Sequence, residues 1–172
     1  MLDAVANVDD LADGTMRMVK VDGHRVCLVR TAGGLHAIDH ACPHEGYGLT
    51  QGELNGDLLT CAWHNWKFRV TDGTCVQGEE GVTVHRVDVD DAGDIRVSIT
   101  RPDPDVVRAR TLVSLRAGIA RDYTGQVARD VVRLLQASAD PGELIWEAVA
   151  HGARAPSSAG ATRSPRRRTV CR

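Results

Sequence analysis

Two short pairs of metal-binding residue types carry the chemistry of this sequence: Cys42-Pro-His44 and Cys61-Ala-Trp-His64, with sixteen residues between them. Two thiolates and two imidazoles can close a tetrahedral zinc site. They can equally hold a [2Fe-2S] cluster, with the sulfurs on one iron and the ring nitrogens on the other. Three features favour the cluster. Each pair supplies one Cys and one His, so two loops approaching from opposite sides would contribute equally to both metals. Gly46 and Gly48 follow the first pair, where backbone can come close and donate N–H groups. Trp63, Trp66 and Phe68 surround the second pair and offer an apolar wall around a redox centre.

The elements that must position these pairs read as short strands with tight turns over residues 1 to about 100. Met16–Val21 and His24–Thr31 are joined through Asp22-Gly23, and Gly33-Gly34 leads into Leu35–His40. Asn55-Gly56 stands between Gly52–Leu54 and Asp57–Cys61, a strong hairpin signal. Further strands are expected around Lys67–Val70, Val82–Val89 and Asp94–Thr100. Many short antiparallel strands imply a mainly β sandwich or barrel. The pattern changes at Arg101-Pro102-Asp103-Pro104, where residues 102–104 read as a stiff linker. Residues 105–151 then show helical apolar spacing, with Asp140-Pro141-Gly142-Glu143 as a helix start: Asp at N-cap, Pro at N1, Glu at N3. Residues 152–172 offer almost nothing apolar to bury and are expected to be a disordered basic tail.

The formal charge of −2 hides an asymmetry. Six of the twenty-one basic side chains lie after residue 151, where there is no acid, which leaves fifteen basic against twenty-three acidic groups, or −8, on the remainder. An acidic body suits docking to a basic protein partner and implies neither nucleic acid nor membrane. The acidic start lacks a basic and apolar leader, and no apolar run approaches the roughly 20 residues of a bilayer span. With five cysteines, two of them paired to histidines, a cytoplasmic metal protein is expected. Cys27, inside an apolar strand, reads as a buried hydrophobe. His24, His36, His40 and His85 read as surface residues at strand ends, and Cys75 as a turn residue near the site.

The stretch from Cys42 to Trp66 resembles the cluster-binding motif of the Rieske ferredoxin family: Cys-x-His, a spacer of about fifteen to seventeen residues, then Cys-x-x-His. The resemblance covers residues 1–101, and it implies a Rieske-type antiparallel β-sandwich with a two-loop cluster-binding subdomain, followed here by a short α-helical C-terminal segment. It also implies that Cys42 and Cys61 bind one iron of a single [2Fe-2S] cluster and that His44 and His64 bind the other through Nδ1, with their Nε2 edges at the surface. High-potential members of that family carry a disulfide between the two loops. The matching positions here are Tyr47 and Trp63. Those members also carry a hydroxyl donor to the cluster sulfur where this chain has Trp66. Asn65 stands where the family has Gly, at a position that Asn tolerates if φ is positive, and Glu45 puts a carboxylate beside His44. The segment from Val76 to Gly81 takes the place of a proline-bearing loop over the cluster.

The function implied is a one-electron carrier between a reductase and a terminal oxygenase. After His85 the sole histidine is His151, too few for the two-His, one-carboxylate iron site of an oxygenase, so no catalytic site is expected in this chain. Three alternatives stand beside it: a small subunit of the nitrite reductase kind, the N-terminal part of a larger Rieske-containing protein, and a zinc-filled interaction module. Residues 105–151 are expected to dock or to self-associate, since so short a helical piece buries its apolar stripes poorly alone.

Overall fold

The computed structural model describes residues 3–78 and 80–152. The basic tail expected over 152–172, Cys171 included, lies outside the described residues from 153 onward, and Gly152 closes the last helix. The chain divides into two units, with the boundary after Val107.

The strands of the first unit all pair antiparallel: β1 (Ala6–Asn7), β2 (Met16–Val21), β3 (His24–Thr31), β4 (Gly34–Asp39), β5 (Glu53–Asn55), β6 (Leu58–Thr60), β7 (Lys67–Arg69), β8 (Cys75–Gln77), β9 (Val84–Val89) and β10 (Asp94–Ser98). One sheet has the order β1-β10-β9-β4-β3-β2, the other β5-β6-β7-β8. Asp22 (φ 48°) and Gly23 (φ 82°) make the two-residue turn between β2 and β3, the backbone that a type I′ hairpin demands. At the next strong turn signal the loop is Gly56-Asp57, because Asn55 already pairs with Leu58. There it is Gly56 that takes the positive φ, 62°.

β3 is buried on both faces, and its period of two sorts its residues between two cores. Val26 and Leu28 pack with Val19, Val21, Ala37, Ile95 and Val97 inside the sandwich. Cys27 and Val29 point the other way, into a core shared with Ile38, Cys42, Leu49, Leu59, Cys61, Phe68 and Val70. Cys27 is therefore the buried hydrophobe expected, and burial pushes its thiol up to about 12.

The whole four-stranded sheet is inserted between β4 and β9, which pair directly through Ala37–His85 and Ile38–Val84. The two ends of the insertion are tied at its base. Asp39 N–H donates to Thr83 O at 2.9 Å and Thr83 N–H to Asp39 Oδ2 at 3.2 Å. His85 Nδ1 accepts from Thr100 N–H at 3.3 Å, which leaves the ring proton on Nε2, 3.2 Å from Asp39 Oδ1. His85 is thus buried, and so is His40, whose Nε2 meets Thr50 Oγ1 at 2.9 Å. Both correct the expectation of surface histidines: at His85 the two ring bonds offset the cost of burial, whereas His40 has its Thr50 bond alone and a buried Nδ1 with no hydrogen-bond partner among the described residues. Burial by itself raises the Asp39 carboxyl, but its bonds from His85 and Thr83 outweigh that and hold it below the ordinary value. A carboxyl lowered in the folded state stabilises the fold above its unfolded pKa and loses that contribution as the pH falls through the folded value. Asp39→Asn should therefore lower stability at neutral pH and flatten the fall of melting temperature below about pH 4, as thermal unfolding at several pH values would show.

The second unit has three helices, α1 (Pro104–Ala120), α2 (Thr124–Gln136) and α3 (Pro141–Gly152). Asp140 Oδ1 accepts from Gly142 N–H at the start of α3, the N-cap expected there. Leu115, Leu134, Ala139 and Leu144 form a small core, flanked by Leu112, Ile119, Val127 and Val131. Arg116 grips Glu147 through two hydrogen bonds of 2.7 and 2.6 Å. No helix among the described residues is long and apolar enough to cross a membrane.

Candidate metal centre

Two loops at one end of the four-stranded sheet are built on the same turn. In the first, between β4 and β5, Cys42 N–H donates to Tyr47 O at 2.8 Å; in the second, between β6 and β7, Cys61 N–H donates to Trp66 O at 2.8 Å. Each carbonyl lies five residues after its cysteine. The residue before that carbonyl is left-handed in both loops, Gly46 with φ 78° and Asn65 with φ 57°. Asn65 thus adopts the conformation that Asn tolerates best among non-glycine residues.

The twin turns bring the four residues together. Cys42 and Cys61 are both buried, and their thiols interact. Burial pushes the Cys42 thiol up to about 11; N–H donors of His44 and Glu45 oppose the rise and Cys61 adds to it. His44 and His64 meet edge to face, with Nδ1 atoms 2.9 Å apart. Two soft thiols, main-chain donors aimed at one sulfur and two convergent imidazole nitrogens form a donor set that fits a [2Fe-2S] cluster.

The two imidazoles have different surroundings. His44 is only 8% exposed, because Trp66 stacks on its ring at 4.8 Å and 21°. The His64 side chain is 40% exposed. The surface edge expected on both rings is therefore open mainly on His64, and the difference lies in the tryptophan lid. Glu45 was expected beside His44, and its carboxylate does lie within 4.8 Å of a ring nitrogen of both histidines; its Oε2 also reaches across to the other loop, 3.9 Å from His64 Nε2. Outside the imidazoles, Tyr47 and Trp63 stack at 4.1 Å and 17°.

Two features were not read from the sequence. Cys75 is a strand residue of β8, not a turn residue. The turn after β8 lays Gly78 against Trp66: a Cβ there would stand 2.5 Å from Trp66 Cδ2 and 2.7 Å from Cys75 Sγ. Trp66, which covers the first imidazole, is thus itself in close contact with Gly78. Gly78 also has φ +136°, so Gly78→Ala meets both strain and collision. It should cost about 1–3 kcal/mol in thermal or denaturant unfolding.

Residues 2–88 match the sequence profile of the Rieske [2Fe-2S] domain. The ferredoxin component of the alkene monooxygenase system of Xanthobacter autotrophicus is 44% identical over 70 residues, which are 40% of this chain and 57% of that protein. Human apoptosis-inducing factor 3 is 40% identical over 70 residues, 41% of this chain and 12% of that protein. The chain thus spans little more than half of the first relative and a small part of the second. Among solved structures, the ferredoxin of carbazole 1,9a-dioxygenase from Nocardioides aromaticivorans superposes with a TM-score of 0.54 at 28% identity, over 58% of this chain and 99% of that one. A chain described as an NADH-dependent nitrite reductase small subunit from Mycobacterium tuberculosis gives 0.54 at 23% identity, over 59% and 96%, and shares the fold. With half of its length matched and the sandwich and paired loops in place, the chain belongs to the Rieske [2Fe-2S] domain family, whose members carry a [2Fe-2S] cluster.

Proposed function

We propose that the chain is a one-electron carrier, reduced by a reductase and oxidised by a terminal oxygenase, with Cys42 and Cys61 on one iron and His44 and His64 on the other. The observation that carries this reading is the convergence of two buried thiols and two imidazoles, one of which keeps an open edge. The likeness to two ferredoxins of oxygenase systems supports it. The bound cluster supplies a one-electron couple. The protein's own groups do the rest. N–H donors of His44 and Glu45 offset charge on Cys42. Trp66, Phe68 and Leu59 keep water from the inner side. Glu45, close to His64, gives the open edge an acidic rim suited to a basic partner.

The test is anaerobic purification, iron and sulfide counted per chain, and EPR of the reduced protein, followed by single turnover with a ferredoxin reductase and an oxygenase. A colourless, zinc-filled protein would sink the reading. The fold shared with a nitrite reductase small subunit supports a second reading, in which the acceptor is a nitrite-reducing partner; oxidation of the reduced protein by one acceptor and not the other decides between them.

The same proposal takes residues 1–101 as the Rieske domain, 102–104 as linker, its last residue Pro104 already opening α1, and 105–151 as an association module, in a cytoplasmic protein. Ile145, Trp146 and Val149 are more than half exposed on α3, and at spacings of three and four they share one face of the helix. Ile145→Asp with Val149→Asp should turn a self-associating protein into a monomer in sedimentation velocity, with the visible spectrum unchanged.

A further inference from the structure

We infer that Tyr47 and Trp63 act as a non-covalent clasp that fixes the spacing of the two loops. This rests on the reading that both loops hold the cluster. The rings stack at 4.1 Å and 17°, one from each loop. Each is tied to a site residue of its own loop. The Tyr47 carbonyl accepts from Cys42 N–H, and Trp63 directly precedes His64. Separating the rings therefore pulls Cys42 and His64 apart, residues from different halves of the donor set.

Trp63 is 54% exposed, so the pair is not there to fill the interior. Its contribution is the face-to-face contact, at a separation shorter than aromatic pairs usually keep. Tyr47 and Trp63 are positioning residues, acting through Cys42 and His64.

The experiment is the rate of iron loss from the reduced holoprotein to a ferrous chelator, with the unfolding transition of each variant recorded alongside. Tyr47→Ala and Trp63→Ala should each release iron roughly two- to tenfold faster. The double variant should be no faster than the singles, because the first alanine already removes the contact. Tyr47→Phe and Trp63→Phe keep a ring and should release iron at the wild-type rate. Alanine variants at the wild-type rate, phenylalanine variants as fast as alanine, or a double effect equal to the product of the singles would each overturn the clasp. If an alanine variant fails to fold, Tyr47→Leu and Trp63→Leu take its place: they keep apolar bulk without a ring and should release iron faster than wild type, and the wild-type rate in both would overturn the clasp. A wild-type protein without iron and sulfide overturns the cluster reading itself, which is a different failure.

Discussion

Replacement of Cys42 or Cys61 by alanine is expected to remove the cluster altogether, taking iron from about two per chain to near zero and the protein from red-brown to colourless. Both thiols are buried, and in the proposed ligand set no other residue replaces a lost sulfur. The histidines should behave differently. His44→Cys and His64→Cys each keep a ligand type that iron accepts, so metal can remain. The Rieske EPR signature should vanish, because imidazole ligation of one iron is what separates it electronically from its neighbour. Iron analysis and low-temperature EPR of the four variants, prepared anaerobically, make the test. An unchanged spectrum in both histidine variants would remove them from the ligand set.

The second large effect is the midpoint potential, expected near the low end for this cluster type, about −150 mV. The position of a hydroxyl donor in high-potential relatives holds Trp66, whose ring lies flat on His44 at 4.8 Å. An indole has no hydroxyl to donate, so the donor found at that position in high-potential relatives is not supplied here. Glu45, at 3.9 Å from His64 Nε2, places a carboxylate beside the open edge. A negative charge there disfavours taking up an electron. Removing it should raise the potential, so Glu45→Gln is expected above the wild type in protein-film voltammetry. A wild-type midpoint above zero would contradict both contributions.

Much of this was legible in the sequence because it rests on local rules. Asp22-Gly23 requires two left-handed residues, and both are left-handed. Asp140 caps α3 for the reason any N-cap does. The two-period of β3 places Cys27 in the core. What stayed hidden depends on pairs distant along the chain. Nothing in the neighbours of His85 announces Asp39, forty-six residues away, or the main-chain donor at Thr100. Glu45 could not be placed beside His64 before the loops were facing each other. β1 and β8, of two and three residues, are too short for periodicity to register. The stack of Tyr47 on Trp63 was visible only as a missing disulfide.

The insertion of β5–β8 between two strands that already pair has a consequence for how the protein matures. β4 and β9 are neighbours in the sheet, so residues 40–83 form one closed excursion that leaves and re-enters at the same place. Lengthening such an excursion adds little closure entropy, which grows only with the logarithm of its length. The hairpin series β2-β3-β4 is local in sequence and able to form early, while the excursion must wait for its long-range closure at Asp39, Thr83 and His85. The outer face of β3, with Cys27 and Val29, is therefore covered only when the excursion folds back onto it, so the two loops are set in place by the last long-range step of folding.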